Sequence, residues 1–226
     1  MSAHYLPGSP PVPLVLRQSA RARRISLRIS QLDGRVTLTL PKRVSVREAM
    51  DFAKSKEAWI RKHLANRPED CAVEIGAQVP IEGIECRITE TTGRRVLLAD
   101  GEIGVPGNAV GRRLQSWLKE LARDRLSAAS DRYAAALGQS YTRITLRDTR
   151  SRWGSCSSDG ALMYSWRLIM APPDVLDYVA AHEVAHLVEM NHSQAFWNVV
   201  EQLYGPYTTP RKWLRTEGNT LHRYRF

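Results

Sequence analysis

The stretch HEVAHLVEMNH, residues 182–192, constrains this chain more than any other part of the sequence. It places His182 and His186 four residues apart in a region that reads as helix, so both rings project from one face. Two imidazoles at that spacing suit zinc, which binds nitrogen ligands in tetrahedral geometry. Glu183 stands beside the first histidine, where its carboxylate can reach a water on the metal. The stretch therefore predicts two metal ligands and a general base.

The surrounding pattern places these histidines in the interior. Val175, Val179, His182 and His186 form a single stripe along the predicted helix. A histidine pair on a buried face without a partner is costly, because each ring must form a hydrogen bond or bind a metal. Two core histidines with ordinary hydrogen bonds are the alternative, and metal binding is the preferred interpretation.

His192 is the preferred third ligand. Asn191 tolerates the left-handed conformation and Ser193 can cap the next helix, so a turn there would bring His192 back toward the metal. Glu201, on the following helix, is the rival. Three protein ligands leave the fourth position of one Zn²⁺ ion to water, which is typical of a catalytic site. Such a water, with Glu183 accepting its proton, could hydrolyse an amide and in principle other bonds.

The N-terminal half reads as β-rich with one helix. "RISLRIS" and "RVTLTL" alternate apolar and polar residues, and "LDGR" (32–35) between them is typical of a hairpin turn. Ser45 and Glu48 form a capping-box pattern at the start of a helix over 45–66, which Pro68 closes. Short strands with glycine at the turns follow over 72–106. The predicted strands of the first part are 12–17, 24–30 and 35–40.

The C-terminal half reads as more helical, so the fold class is α+β. "PGN" (106–108) predicts a domain boundary, which gives domains 1–108 and 109–226. A long helix is predicted over roughly 109–137, ended by Gly138. Pro172 and Pro173 suit the first turn of the helix that carries the histidines. The other predicted elements of this half are strands at 142–147 and 161–166, separated by the loop RDTRSRWGSCSSDG.

The charge is the unusual feature of the composition. The formal net charge is +10, and the basic residues concentrate in 17–30 and 41–47. A solvated strand face is the simpler interpretation; a surface for a nucleotide or nucleic acid is the alternative. No zinc finger, RNP-like motif or phosphate loop is present. No apolar run could span a bilayer. The N-terminus reads as a disordered leader that runs into the first strand, and not as a signal peptide, so a cytoplasmic location is expected.

Two flanking segments make the chain recognisable. "RWGSC" upstream, combined with "HExxHxxxxxHSxxFW", closely resembles the YgjP-like zinc metallopeptidases, and "WIRKHL" and "RKWLR" also fit. A more distant similarity is to WLM and SprT-like proteases. The resemblance implies that His182, His186 and His192 are zinc ligands and that Glu183 is the catalytic base. It also implies a minimal zincin fold, in which strand 161–166 would line the cleft and offer its edge to an extended substrate.

Several residues near the expected site keep open roles. Arg152 could stabilise a developing oxyanion, or could pack its loop against the helix together with Trp153. Cys156 could approach the metal, although a small buried thiol is the simpler interpretation. Tyr164 and Tyr178 are alternative second donors. Phe196 and Trp197 are expected in the core, where they would hold the turn that carries His192.

The leading functional hypothesis is a zinc-dependent metallopeptidase acting on a peptide or protein. The first alternative is a metal-dependent hydrolase of nucleotide phosphoanhydrides, which the basic N-terminal half would favour. The second is a protease that docks on nucleic acid through the same basic half; the oligomeric state stays open.

Overall fold

The computed structural model describes residues 4–30, 33–65 and 69–226. The chain divides into two compact units, residues 1–69 and 70–226, each with its own apolar core. Leu32 of the predicted 32–35 turn and Pro68, the predicted helix end, lie outside the described residues. Among the described residues, none of the helices combines the length and apolar character that crossing a membrane requires.

The first unit is a four-stranded sheet with two helices. The strand order is β1-β2-β4-β3, with β2 and β4 parallel and the other neighbours antiparallel. Alternating side chains of the sheet, among them Leu38, are buried against Ala49, Ala53 and Ile60 of the helices. The elements are β1 (His4–Leu6), β2 (Val12–Ser19), β3 (Ser26–Ile29), β4 (Val36–Pro41), α1 (Val46–Ser55) and α2 (Glu57–Ala65).

Two predictions for the first unit differ from the structure. The expected disordered leader contains strand β1, which pairs with β2 and buries Leu6 completely. The single helix predicted over 45–66 is two helices with Lys56 between them. The predicted capping box is present, because the Ser45 hydroxyl accepts from the Glu48 N–H while the Glu48 carboxylate accepts from the Ser45 N–H.

The second unit begins with a sheet of order β6-β7-β9-β8, followed by the long helix α3. Ile88 and Ile103 of this sheet belong to one buried cluster with Leu118 of α3. The division between units therefore falls after residue 69, since packing joins the strands of 72–106 to the helical half across the predicted 108/109 boundary. These elements are β5 (Cys71–Ala72), β6 (Gln78–Ile81), β7 (Ile84–Thr91), β8 (Leu97–Ala99), β9 (Glu102–Pro106) and α3 (Val110–Ala136).

A three-stranded sheet and the last helices complete the second unit. Strand β12 is central, with β10 parallel on one side and β11 antiparallel on the other. The mixed α+β class is confirmed. The elements are β10 (Arg143–Arg147), β11 (Gly154–Cys156), β12 (Ala161–Ser165), a 3-10 helix (Trp166–Met170), α4 (Pro173–Ala185), α5 (Gln194–Tyr204), α6 (Thr208–Thr216), a 3-10 helix (Gly218–Arg223) and β13 (Tyr224–Arg225).

Candidate metal centre

Helix α4 carries the first two histidines at its C-terminal end. Pro173 occupies its first turn, as its fixed backbone angle favours. The helix is apolar on almost every side, and Val175 and Val179 are buried on the predicted stripe. His182 lies in the last turn, and the helix ends at Ala185, so His186 is its C-cap residue. Both rings are thus fixed by a helix that is itself held in the core.

A short turn brings the third histidine back to the first. Ser193 caps α5 by accepting a hydrogen bond from the Phe196 N–H at 3.4 Å, as predicted. Asn191 does not adopt the left-handed conformation; its side-chain oxygen instead accepts from the Ser193 N–H at 3.1 Å, which closes the turn locally. The Nε2 atoms of His192 and His182 lie 3.1 Å apart as a result.

The three histidines form a donor set that suits a metal ion. One nitrogen from each of His182, His186 and His192 lies within 4.8 Å of the others. His186 donates from Nδ1 to the Glu189 carbonyl at 2.9 Å, which directs its Nε2 lone pair outward from the hydrogen-bonded side. Burial lowers the pKa of His182 to about 3 and also lowers that of His186, so both rings are neutral donors at pH 7. Glu201, the rival ligand, is exposed on α5 and is not part of this cluster.

One nitrogen of the cluster has no partner. The Nδ1 atom of His182 is buried without a hydrogen-bond partner among the described residues. Its Nε2 atom faces only another imidazole nitrogen, and two imidazole nitrogens can satisfy that contact only if one of them donates a proton. A cation between the two Nε2 atoms accepts both lone pairs, so neither nitrogen has to carry a proton. The residues present therefore fit a divalent ion that prefers nitrogen ligands.

Aromatic rings surround the histidines on the side of α5. Phe196 is completely buried, and its ring centroid lies 4.9, 4.4 and 4.8 Å from those of His182, His186 and His192. Trp197 adds contacts with His182 and His192 at 5.7 and 5.8 Å. The rings are packed against one side of the cluster, so their orientation is fixed by the core.

Glu183 is a buried carboxyl with an unusual pKa. Burial raises the pKa of Glu183 to about 8, while the charge of Arg152 and the backbone N–H of Cys156 act in the opposite direction. Its side chain lies directly against strand β11. A Cβ atom added to Gly154 would come within 2.5 Å of the Glu183 Oε1 atom and 2.6 Å of its Cγ atom. Glycine at position 154 therefore leaves the space that this carboxyl occupies.

The strand at the edge of the cleft is β11, not 161–166. Strand β12 (Ala161–Ser165) is paired on both sides, so it has no free edge along its length. Strand β11 was predicted as loop. Ser155 lies opposite Met163 of β12. Because peptide groups in an antiparallel pair point alternately toward and away from the partner strand, those of Gly154 and Cys156 point away from β12. The Cys156 N–H accordingly reaches Glu183.

The open cavity at the centre has a volume of about 210 Å³, and it collects most of the predicted site residues. Arg152 is exposed in this cavity, whereas its neighbour Trp153 packs inward against the ring of His222 at 5.3 Å. The packing role proposed for this pair therefore belongs to Trp153. The cavity is lined by Arg152, Gly154, Ser155, Cys156, Met190, Glu183 and the three histidines.

Cys156, Tyr164 and Tyr178, whose roles were left open, differ in their position relative to the centre. Cys156 lines the cavity, but burial and the nearby carboxylate of Glu183 raise the pKa of its thiol to about 11, so it is protonated. Tyr164 is fully buried with its hydroxyl hydrogen-bonded to that of Ser130 at 3.0 Å, and it is not among the residues that line the cavity. Tyr178 is also buried, with its ring 5.9 Å from that of His182.

Arg211 is a residue that the sequence reading did not single out. Its guanidinium carbon lies 4.4 Å from the ring centroid of Trp197, beside the histidine cluster. Burial raises the pKa of Tyr178 to about 12, and the charge of Arg211 opposes that rise. Burial and the two neighbouring histidines lower the pKa of His182, and the charge of Arg211 adds to that decrease. Arg211 is the first residue of "RKWLR". No pattern within this segment indicates that helix α6 packs near the site formed by α4 and β11, so the sequence alone could not predict its position. A second positive charge therefore stands near the centre in addition to Arg152.

The family comparison identifies the chain as a metallopeptidase, and its architecture is mixed α+β. The model of the YgjP-like metallopeptidase domain matches residues 23–217, and because this is most of the chain, the chain belongs to the YgjP-like family. A search of curated proteins gave no match. Among solved structures, the chain is similar to the metallopeptidase zymogen of Pyrococcus abyssi abylysin, with 20% identity and a TM-score of 0.34; the match covers 42% of this chain and 95% of that one.

Proposed function

We propose that this chain is a zinc-dependent peptidase whose ion is held by His182, His186 and His192 and whose general base is Glu183. The convergence of three histidine nitrogens within 4.8 Å, beside a buried carboxyl, carries the proposal. Three imidazole ligands favour zinc over magnesium or calcium, which prefer oxygen ligands. A zinc ion held there would act as a Lewis acid toward water and toward the carbonyl oxygen of the scissile bond.

Glu183 then moves the protons of the reaction. Its carboxylate accepts a proton from the attacking water as the new C–O bond forms, and it donates that proton to the amine that leaves as the C–N bond breaks. The apolar surroundings that raise its pKa favour this return of the proton. The Cys156 N–H and the Arg152 charge stabilise its ionised form, so both states are accessible.

In this proposal, Arg152 and strand β11 bind the substrate. The Arg152 guanidinium is exposed in the cavity and is assigned to the oxyanion that develops on the scissile carbonyl. An extended peptide adds to the free edge of β11, where the outward peptide groups of Gly154 and the Cys156 carbonyl are available for backbone hydrogen bonds, since the Cys156 N–H is used by Glu183. Cleavage of unfolded segments follows, since only an extended chain can pair with a strand edge.

The metal assignment is tested by elemental analysis of purified variants. We expect wild-type protein to bind about one zinc per chain, and His182→Ala and His192→Ala to lose it. Glu201→Gln is the matched control, because it removes the rival ligand from an exposed site and should leave the zinc content unchanged. Stoichiometric zinc in His192→Ala, with loss in Glu201→Gln, would show that the third ligand is misassigned.

The reaction is tested by comparing wild-type protein with Glu183→Gln on casein, on DNA-bound proteins and on nucleoside triphosphates. We expect peptide-bond cleavage that falls by a factor of at least about 10² in the variant, with zinc retained. Glu183-dependent turnover of nucleoside triphosphates without proteolysis would establish the phosphoanhydride alternative instead. Equal activity of both proteins on every substrate would refute the role of Glu183.

A further inference from the structure

Two cavities adjoin along the exposed face of helix α3, formed by residues other than those of the metal centre. The first, of about 570 Å³, contains the partly exposed ring of Trp117; the second, of about 420 Å³, has the buried Trp166 in its wall. Ser116 and Glu120 line both, so the two cavities adjoin along the helix, and together they are called here the α3 groove. Its basic side chains are Arg95, Arg112, Arg113, Lys119, Arg123 and Arg147.

The α3 groove is strongly positive. All six basic side chains are exposed, and within the described part of the chain none of them forms an ion pair with a carboxylate. The acidic residues that line the groove are Glu120 and Asp148, and Asp148 is held by the buried Arg167 at 2.7 Å. Cations grouped in a concave surface produce a local potential that attracts an anionic ligand.

The spacing of the cations suits a repeating anion. Arg112, Lys119 and Arg123 follow one another at steps of seven and four residues, so they lie on one face of α3. At 1.5 Å per residue, the distance along the helix from Arg112 to Arg123 is about 16 Å, which spans several successive phosphates of a nucleic-acid strand. Arg147, at the end of β10, extends the row beyond the helix.

We propose that the α3 groove binds single-stranded nucleic acid. Guanidinium groups bind phosphate oxygens in a bidentate manner, and five of the six cations are arginines. Trp117 presents a ring on which an unpaired base can stack. The bases of a duplex are already paired and stacked on one another, so this ring favours a single strand. An acidic peptide would use the charges but would leave the aromatic ring without a partner.

The test measures binding of full-length protein to a fluorescent oligothymidylate of about 12 nucleotides, by anisotropy and in the presence of a chelator. The chelator makes the result independent of the metal centre and of the proposed peptidase activity. In Arg112→Glu/Arg123→Glu we expect affinity to fall about a hundredfold at low salt, and the salt slope to decrease by about 1.4 for two lost phosphate contacts. A glutamate at 112 lies in the first turn of α3, where negative charge is favourable, so the fold should be retained.

The matched control is Arg21→Glu/Arg28→Glu, which makes the same change in net charge on exposed residues of the first unit. We expect its affinity to stay within about threefold of wild type, since charge outside the binding site acts only at long range. Equal losses in both double variants would show that binding follows net charge, which would overturn the proposal. Loss in the control alone would place binding on the basic N-terminal half and would also overturn it.

A second pair of variants tests the aromatic contact. Trp117→Leu should weaken binding of the oligothymidylate about tenfold, and Trp117→Phe should retain most of it, because stacking needs a ring. If polyglutamate displaces the oligonucleotide at lower concentration than unlabelled oligothymidylate does, the groove is a site for acidic peptides and the proposal fails.

Discussion

Replacing Gly154 by alanine should disable the candidate base without removing the metal. The added Cβ atom would lie 2.5 Å from Glu183 Oε1 and 2.7 Å from its Cδ atom. Ordinary contacts begin at 3.4 Å, so the carboxyl group must move by about 0.9 Å or the strand must shift by the same amount. Because Glu183 is buried except where it lines the central cavity, it can move only toward that cavity and away from its position against β11.

The expected magnitude follows from that displacement. A misplacement of about 1 Å in a catalytic group costs about a hundredfold in rate, or about 2.7 kcal/mol of transition-state stabilisation. We expect kcat/KM on an unstructured peptide substrate to fall by this factor in Gly154→Ala. Zinc content should stay at the wild-type level, because none of the three histidines lies among the atoms nearest to the added methyl group.

Gly93→Ala is the matched control. Position 93 has an exposed backbone without a left-handed φ, and a Cβ atom there would make only an ordinary contact of 3.4 Å with Thr91. Its activity and melting temperature should equal those of wild type. Wild-type kcat/KM in Gly154→Ala, measured on protein with a full zinc content, would refute the assignment of Glu183 as a base held in place by β11.

Three further perturbations test the packing around the centre. Phe196→Ala should lower the free energy of unfolding by about 3–5 kcal/mol, and because this ring touches all three histidines, zinc affinity measured by competition with a chelator should fall with it. Arg167→Met should lower the free energy of unfolding by about 3 kcal/mol, because it leaves a carboxylate and buried carbonyls without a partner. Arg225→Met breaks an exposed ion pair and should lower it by at most about 1 kcal/mol. Urea denaturation of both variants measures the difference. Burial and nearby arginines lower the pKa of His222 from 6.5 to about 4, so the unfolded chain binds the proton first and stability should decline as pH falls from 6.5 to 4. His222→Gln should show a weaker decline in melting temperature over that range.

Local signals in the sequence were sufficient for much of the fold. The capping box at Ser45 and Glu48 depends on four neighbouring residues, so its hydrogen bonds could be predicted from them alone. The same is true of the Ser193 cap, which determines where α5 begins. The HExxH spacing placed His182 and His186 on one helix face because helical geometry is regular. In each case the information lies within one or two turns of the chain.

Features that depend on pairing between distant residues were not predicted. Strand β11 has only three residues, and its extended form is stabilised by a partner strand that comes later in the sequence. The period-two pattern of β2 and β4 shows which side chains are buried, but it carries no information on strand direction, and these strands are parallel. The need for glycine at 154 likewise arises from Glu183, which lies 29 residues further along.

Helix α4 ends at the histidines, and this gives the whole helix an electrostatic effect on the centre. Its peptide dipoles point their negative end toward Ala185, which is equivalent to about half a negative charge beside His182 and His186. A cation bound there is stabilised by the backbone of a helix that begins at Pro173, before any side chain is counted. Part of the charge balance of the metal centre is therefore insensitive to point mutation, and it would change only if the helix were shortened, extended or unwound.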